Sequence, residues 1–233
     1  MTERSQSILK TAIRDFIENG RPITSEYLYE EYDFGIKPAM IRLELNELSQ
    51  TGYFFQNHPS GGRFPTNKAY RFFIREIIGS KDEDIYTSRK DKNLADEFLS
   101  GEHLPFIKQL SNYLNTLSIG YDSHAREIYE SGLVELLNDL EVQEKRDLVS
   151  VIEDYESIIE RLDGKKPMVK NGDKWLNIFV GKSPFSQSDC ISVIVGNFIS
   201  DESDFSLVLI GPKRMDYEKS ISLFRTLKRL TNT

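Results

Sequence analysis

Apolar positions along the first eighty residues recur at helical spacing in four stretches. Ile8, Leu9, Ala12, Ile13, Phe16 and Ile17 share one face of a helix predicted over 3–19, and Gly20 stands where such a helix stops. Pro22 prevents resumption, and Ser25 is read as the N-cap of a short helix reaching about Tyr32, with Tyr27, Leu28 and Tyr32 for burial. After the break at Asp33-Phe34-Gly35, Pro38 opens a third helix. In it Ile41, Leu45 and Leu48 recur at i, i+4 and i+7, while Lys37, Met40, Arg42, Leu43 and Asn46 fall outside that stripe. Gly52 lies just past its end. Two strand-like runs, Tyr53–Gln56 and Arg63–Pro65, flank His58-Pro59-Ser60-Gly61-Gly62, which predicts a hairpin. Thr66 then caps a fourth helix with Ala69, Tyr70, Phe73, Ile74 and Ile77 inward and Arg71 and Arg75 outward. Three helices followed by a β-hairpin is the order of a winged helix-turn-helix, in which the third helix fits the major groove and the hairpin reaches the neighbouring backbone.

Beyond Gly79 the periodicity lapses. Residues 80–103 are polar and charge-rich and read as a linker with at most one frail helix, which places a first domain at 1–79 and a second at 104–233. In the second, Pro105 opens an amphipathic helix that leads into a strand over Thr116–Tyr121. A helical stretch in two pieces over 132–162, broken near Val142, precedes three strands at Trp175–Val180, Cys190–Ile199 and Phe205–Ile210. A final helix, capped by Asp216, runs to about Leu230. The fold class expected is therefore α+β, an N-terminal winged helix-turn-helix followed by a sheet domain with helices.

Charge sharpens this picture. The chain has 233 residues and a net charge of −7, which taken whole opposes nucleic-acid binding. Its distribution does not: residues 1–36 carry four Lys/Arg against seven Asp/Glu, whereas residues 37–75 carry six basic side chains against only Glu44 and Glu47. Phosphates respond to the field within a Debye length of ~8 Å, not to the chain total. With 39% apolar and 29% charged residues the chain is expected to fold. It has no run of ~20 apolar residues and no apolar N-terminal segment, so a cytoplasmic location without membrane association is expected. The lone Cys190 and three scattered histidines predict neither disulfide nor metal site, and no cofactor is expected. Cys190 opens an apolar strand and is read as an inert buried thiol. With no acid/base pair, phosphate loop or metal set in view, the chain is not expected to be an enzyme.

The segment 52–73, GYFFQNHPSGGRFPTNKAYRFF, resembles the wing of the HrcA family of heat-inducible repressors, whose pattern runs G-Y-L-x-Q-P-H-T-S-A-G-R-x-P-T-x-x-G-Y-R. Gly52, Tyr53, Gln56, His58, Ser60, Gly62, Arg63, Pro65, Thr66, Tyr70 and Arg71 coincide. TERSQSILK is similar to the family's opening helix, and Ala39, Ile41, Arg42, Glu47 and Leu48 match its third. Ser131-Gly132-Leu133, Asp189-Cys190 and Ile210 to Tyr217 (IGPKRMDY) are similar to later motifs. The resemblance implies a GAF-like second domain, repression of chaperone operons at an inverted-repeat CIRCE element on double-stranded DNA, a homodimer, and dependence on the GroE chaperonin. The family's dimerising insertion is missing between Tyr121 and Glu127, and Met40 and Leu43 stand where the family has Thr and Asn.

The residues expected at DNA are Lys37, Met40, Arg42, Leu43 and Asn46 of the third helix, His58, Ser60, Gly62 and Arg63 of the wing, and Thr66, Lys68 and Arg71 beyond it. Arg42 can read a base edge, Leu43 either meets a thymine methyl or packs internally, and Gly at the wing tip permits close approach to phosphate. Arg63, Lys68 and Arg71 are read as phosphate contacts; His58 is either a sugar-phosphate contact or a turn residue. Two other readings stand beside the repressor: a regulator sensing a small molecule through the second domain, and a winged-helix protein-interaction module without DNA.

Overall fold

The computed structural model describes residues 1–58, 61–80, 88–140, 145–164, 175–199 and 204–231. The chain divides into two compact units, Met1–Gly79 and Ser80–Thr233.

In the first unit, α1 (Glu3–Asn19) starts at Thr2, whose hydroxyl accepts from the Ser5 amide, and ends at Gly20. Its face of Ile8, Leu9, Ala12, Ile13 and Phe16 is buried. The second helix, α2 (Ser25–Glu31), is capped by Thr24, not Ser25: Thr24 Oγ1 accepts from the Tyr27 amide at 3.2 Å. Asp15 of α1 is buried and joins the two helices by accepting from the Tyr27 and Tyr32 hydroxyls, both at 3.0 Å. Burial and that bond push the Tyr32 hydroxyl up to about 12. Next come α3 (Pro38–Gln50), the strands β1 (Phe54–Phe55) and β2 (Phe64–Pro65), and α4 (Asn67–Gly79), whose start is capped by Thr66 Oγ1. The hairpin has a third member that the pattern does not betray. Ile23 and Arg63 exchange both backbone hydrogen bonds at 2.8 Å, tying the hairpin to the turn between α1 and α2.

The second unit begins earlier than expected. The helix allowed within the polar stretch is α5 (Arg89–Leu99), opened by a capping box between Ser88 and Asp91 and belonging to the second unit. Leu94, Ala95 and Phe98 give it a buried face too narrow to stand out among its charges. After it come α6 (His103–Leu114), β3 (Leu117–Asp122) and β4 (Glu127–Ser131), then α7 (Leu133–Asp139) and α8 (Lys145–Gly164). The unit closes with β5 (Leu176–Val180), β6 (Ile191–Ile199), β7 (Asp204–Pro212) and α9 (Tyr217–Thr231). Val142, the expected break, lies outside the described residues, between α7 and α8.

The strands form one antiparallel sheet in the order β4-β3-β7-β6-β5. The short turn between β3 and β4 makes them neighbours, and β4 is an edge strand with no buried residue. Alternation then sorts the side chains of the central strands. Ile119, Val193, Val195, Val208 and Ile210 bury one face against Leu136 of α7, Val151 of α8 and Phe185. The opposite face meets α6 and α9: at Gly120 and Gly196 an added Cβ would fall 2.4–2.5 Å from the rings of Phe205 and Phe224. Burial of roughly 25 cal/mol per Å² of apolar surface on both faces is what holds the sheet. Cys190 is half-buried and precedes β6, and so is not the fully buried strand residue expected. Trp175 is likewise half-buried. Arg214 pairs with Asp139 at 3.2 Å, and Asp216 caps α9 through the Lys219 amide at 2.9 Å. The fold class is α+β, as expected.

Candidate nucleic-acid interface

The geometry of α3 follows from which of its faces is anchored. Ile41, Glu44, Leu45 and Leu48 are buried against the rest of the first unit. At 100° per residue the opposite side of the helix carries Ala39, Leu43, Asn46 and Gln50, flanked by Arg42 on one side and Met40 and Glu47 on the other, and all seven are exposed. Leu43 is 59% exposed and Met40 39%, which removes the alternative of internal packing for Leu43. A helix of this diameter with an exposed face lacking acidic residues except Glu47 has the dimensions of a major-groove reader.

Glu44 sets the pitch of this face, and sequence pattern did not single it out. Its carboxylate is buried and accepts from Ser5 Oγ at 2.5 Å and from Arg4 Nε at 2.9 Å, both from α1. The Ser5 bond first, and the Arg4 bond and charge after it, hold the carboxyl below the usual carboxylate range against the opposing effect of burial. A depressed folded value means that the anchor contributes fully above about pH 4.3, the unfolded value, and is lost as pH falls through the folded one. Glu44→Gln is therefore expected to cost about 1–3 kcal/mol at pH 7. The gap from the native protein should close as denaturant unfolding is repeated at falling pH; a gap that widens instead would show that Glu44 does not anchor α3 as an ion.

Arg63 is the main correction. It was expected at phosphate but is buried, with 7% of its surface exposed. Its Nη2 donates to Asn46 Oδ1 at 2.5 Å and its Nε to Ser49 Oγ at 3.2 Å, so the guanidinium lies against the flank of α3 that carries these two residues. Burial, and then the nearby Arg42 charge, lower its pKa from the usual arginine value. The sequence offers a basic residue in a wing and, as a polar neighbour for it, only an α3 that is seventeen residues away for Asn46; tertiary pairing converts it from a phosphate contact into a strut. Gly62 is accounted for by its packing. A Cβ there would lie 2.4 Å from Pro22 Cβ, so packing against the α1–α2 turn by itself requires a glycine.

The other expected residues separate by setting. Lys37 is exposed at the N-cap of α3, and Arg42 and Arg71 are exposed. Lys68 is exposed yet engaged: Nζ donates to Thr51 O at 2.6 Å, at the C-terminal end of α3 where the helix dipole favours a cation, and sits 4.4 Å from the Tyr53 ring centroid. Thr66 Oγ1 donates to Gly52 O at 2.8 Å, so its hydroxyl is structural. His58 is exposed and its carbonyl accepts from the Gly61 amide at 2.9 Å; Ser60 lies outside the described residues.

Comparison with known proteins adds three findings. The family model described as the HrcA protein C terminal domain matches residues 65–221. A "Heat-inducible transcription repressor HrcA" from Natranaerobius thermophilus is 45% identical over 75 residues, covering 32% of this chain and 22% of that protein. Another, from Desulforamulus reducens, is 34% identical over 139 residues, covering 56% and 39%. The chain thus spans about a fifth to two fifths of the length of the curated relatives it matches. A crystal structure of a hypothetical protein has the same fold over 100% of this chain and 98% of its own, with a TM-score of 0.77 at 16% identity.

Proposed function

Since the chain belongs to the HrcA family, we propose that it is a heat-responsive transcription repressor that binds double-stranded DNA through a winged helix-turn-helix built from α1–α4 and the β1–β2 hairpin. One observation carries this reading: α3 is anchored on its inner face by Ile41, Glu44, Leu45 and Leu48 and leaves Ala39, Arg42, Leu43 and Asn46 exposed on a unit whose residues 49–75 contain no acidic side chain. In this reading α3 lies in the major groove, Leu43 packs on a thymine methyl, Arg42 reaches a base edge, and Lys37, Lys68 and Arg71 meet phosphates. The operator is an inverted repeat, such as the CIRCE element ahead of chaperone genes, and the second unit, GAF-like, serves the pairing of two copies that such symmetry demands. Heat lowers the population of the DNA-competent form, and the GroE chaperonin restores it.

Gel-shift binding tests the proposal directly. A CIRCE-containing duplex and a scrambled one are titrated at two salt concentrations, with and without prior heating. Preference for the CIRCE duplex that falls with salt and with heating is expected. Arg71→Ala should weaken binding to both duplexes and reduce the salt slope by about 1. Equal affinity for both duplexes, unaffected by salt, would reject the repressor reading.

A further inference from the structure

We infer that Asn46 is a specificity-determining residue that favours a base offering hydrogen-bond acceptors, guanine or thymine, over adenine, because the buried Arg63 guanidinium holds its amide with the NH2 end outward. This rests on the DNA-reading role proposed above for α3 and adds what that helix reads.

An asparagine facing a major groove ordinarily pairs with adenine, its oxygen accepting from N6 and its NH2 donating to N7. Both ends of the amide must face the base for that. Here the oxygen is turned aside: Arg63 Nη2 donates to one lone pair of Asn46 Oδ1 at 2.5 Å from the flank of the helix. The assignment of oxygen to that side is forced by chemistry, since a guanidinium has five N–H donors and no acceptor. Turning the amide over would set its NH2 against a donor and leave a buried charged group without its bond, which disfavours the turned state about tenfold or more.

Arg63 itself cannot swing away cheaply. It is 7% exposed, its Nε donates to Ser49 Oγ, and its backbone exchanges two hydrogen bonds with Ile23. The exposed residue Asn46 therefore presents Nδ2 foremost, with its two donors, on the outward stripe of α3, while one of the two lone pairs of its oxygen is taken by Arg63. Guanine complements this with O6 and N7 and thymine with O4. Cytosine offers only its amino group, and adenine offers the single acceptor N7 beside an opposing N6 amino group, so both are disfavoured. Arg63 thus acts on the base through Asn46 and is a positioning residue.

The test is selection of bound sequences from a randomised duplex pool by the full chain and its variants. Asn46→Ala, at an exposed position, should flatten the preference at one base pair per half-site and so identify the pair that Asn46 reads. At that pair the native protein should take G·C, or a T·A pair whose adenine can be replaced by 7-deazaadenine with less than a twofold loss of affinity. Arg63→Met frees the amide, and at the same pair it should admit an A·T pair that loses roughly tenfold on the same replacement. An A·T pair sensitive to 7-deazaadenine in the native protein would overturn the inference while leaving the repressor reading intact, as would a selected motif that Asn46→Ala leaves unchanged. Selection of no motif at all would overturn both.

Discussion

Gly132→Ala is expected to lower the melting temperature of the second unit by about 7–14 °C. Gly132 precedes α7 with φ +102, in the left-handed region where an L side chain costs roughly 1–2 kcal/mol. The added Cβ would also stand 2.1 Å from Thr116 O and 2.2 Å from Ser111 Oγ. Thr116 and Ser111 are themselves buried, so neither can withdraw without moving the α6–β3 junction, and overpacking of this kind costs about 1–3 kcal/mol more. Together these amount to about 3.5 kcal/mol at the middle of their ranges, and for a unit of this size each kcal/mol shifts the midpoint by about 2–4 °C. The measurement can be made specific to the unit, because the one tryptophan, Trp175, lies in it and its fluorescence follows that transition. Ser131→Ala, next door in β4, should move the midpoint by less than about 3 °C. A Gly132→Ala protein melting within 2 °C of the native one would mean that the close approach at Thr116 is not present.

Arg63 gives the second large effect, and it separates a strut from a phosphate contact. Arg63→Ala removes a buried guanidinium with its two side-chain hydrogen bonds and the packing of its stem. The loss is about 2 kcal/mol after the relief of a desolvated charge is set against it, or roughly 8–16 °C in the melting of the first unit followed by far-ultraviolet circular dichroism. DNA affinity should fall because α3 loses its support. The salt dependence should keep the native slope, since no counterion is released on behalf of a residue that never meets phosphate. Arg63→Met, which retains the stem and drops the charge, should restore most of the stability. A variant that melts like the native protein but binds DNA with a shallower salt slope would return Arg63 to the phosphate backbone.

The two results bear on what each link of the molecule does. Core burial and the Glu44 anchor fix the inclination of α3; Arg63 supports one side of it and orients one of its exposed side chains. A change in any of these alters reading without touching a residue that faces DNA in the proposed complex. For the same reason the departures at Met40 and Leu43, both exposed, should change operator preference and leave the stability of the first unit within about 0.5 kcal/mol.

The amphipathic helices α1, α3, α4 and α9 could be read from residue order because each has one continuous apolar stripe, and burial of that stripe is local in sequence. The hairpin was legible from its turn residues, and the strands of the second unit from short apolar runs ended by Gly and Pro. Other features were not. Helix α5 could be read as no more than one frail helix among charges because its buried apolar residues are only Leu94, Ala95 and Phe98, and β4 was hidden because an edge strand needs few apolar residues. The bridge from Ile23 to Arg63, the seat of Gly62 on Pro22 and the bond from Arg63 to Asn46 join residues forty, forty and seventeen positions apart.

Residue order alone therefore determined where the main amphipathic helices and strands run and which α3 side chains lie outside its apolar stripe, because these depend on periodicity along one element. Only the tertiary structure decided which basic side chains remain exposed, since whether a charge is solvated or buried depends on the partner that folding brings to it, and a partner seventeen residues away leaves no mark in the local pattern.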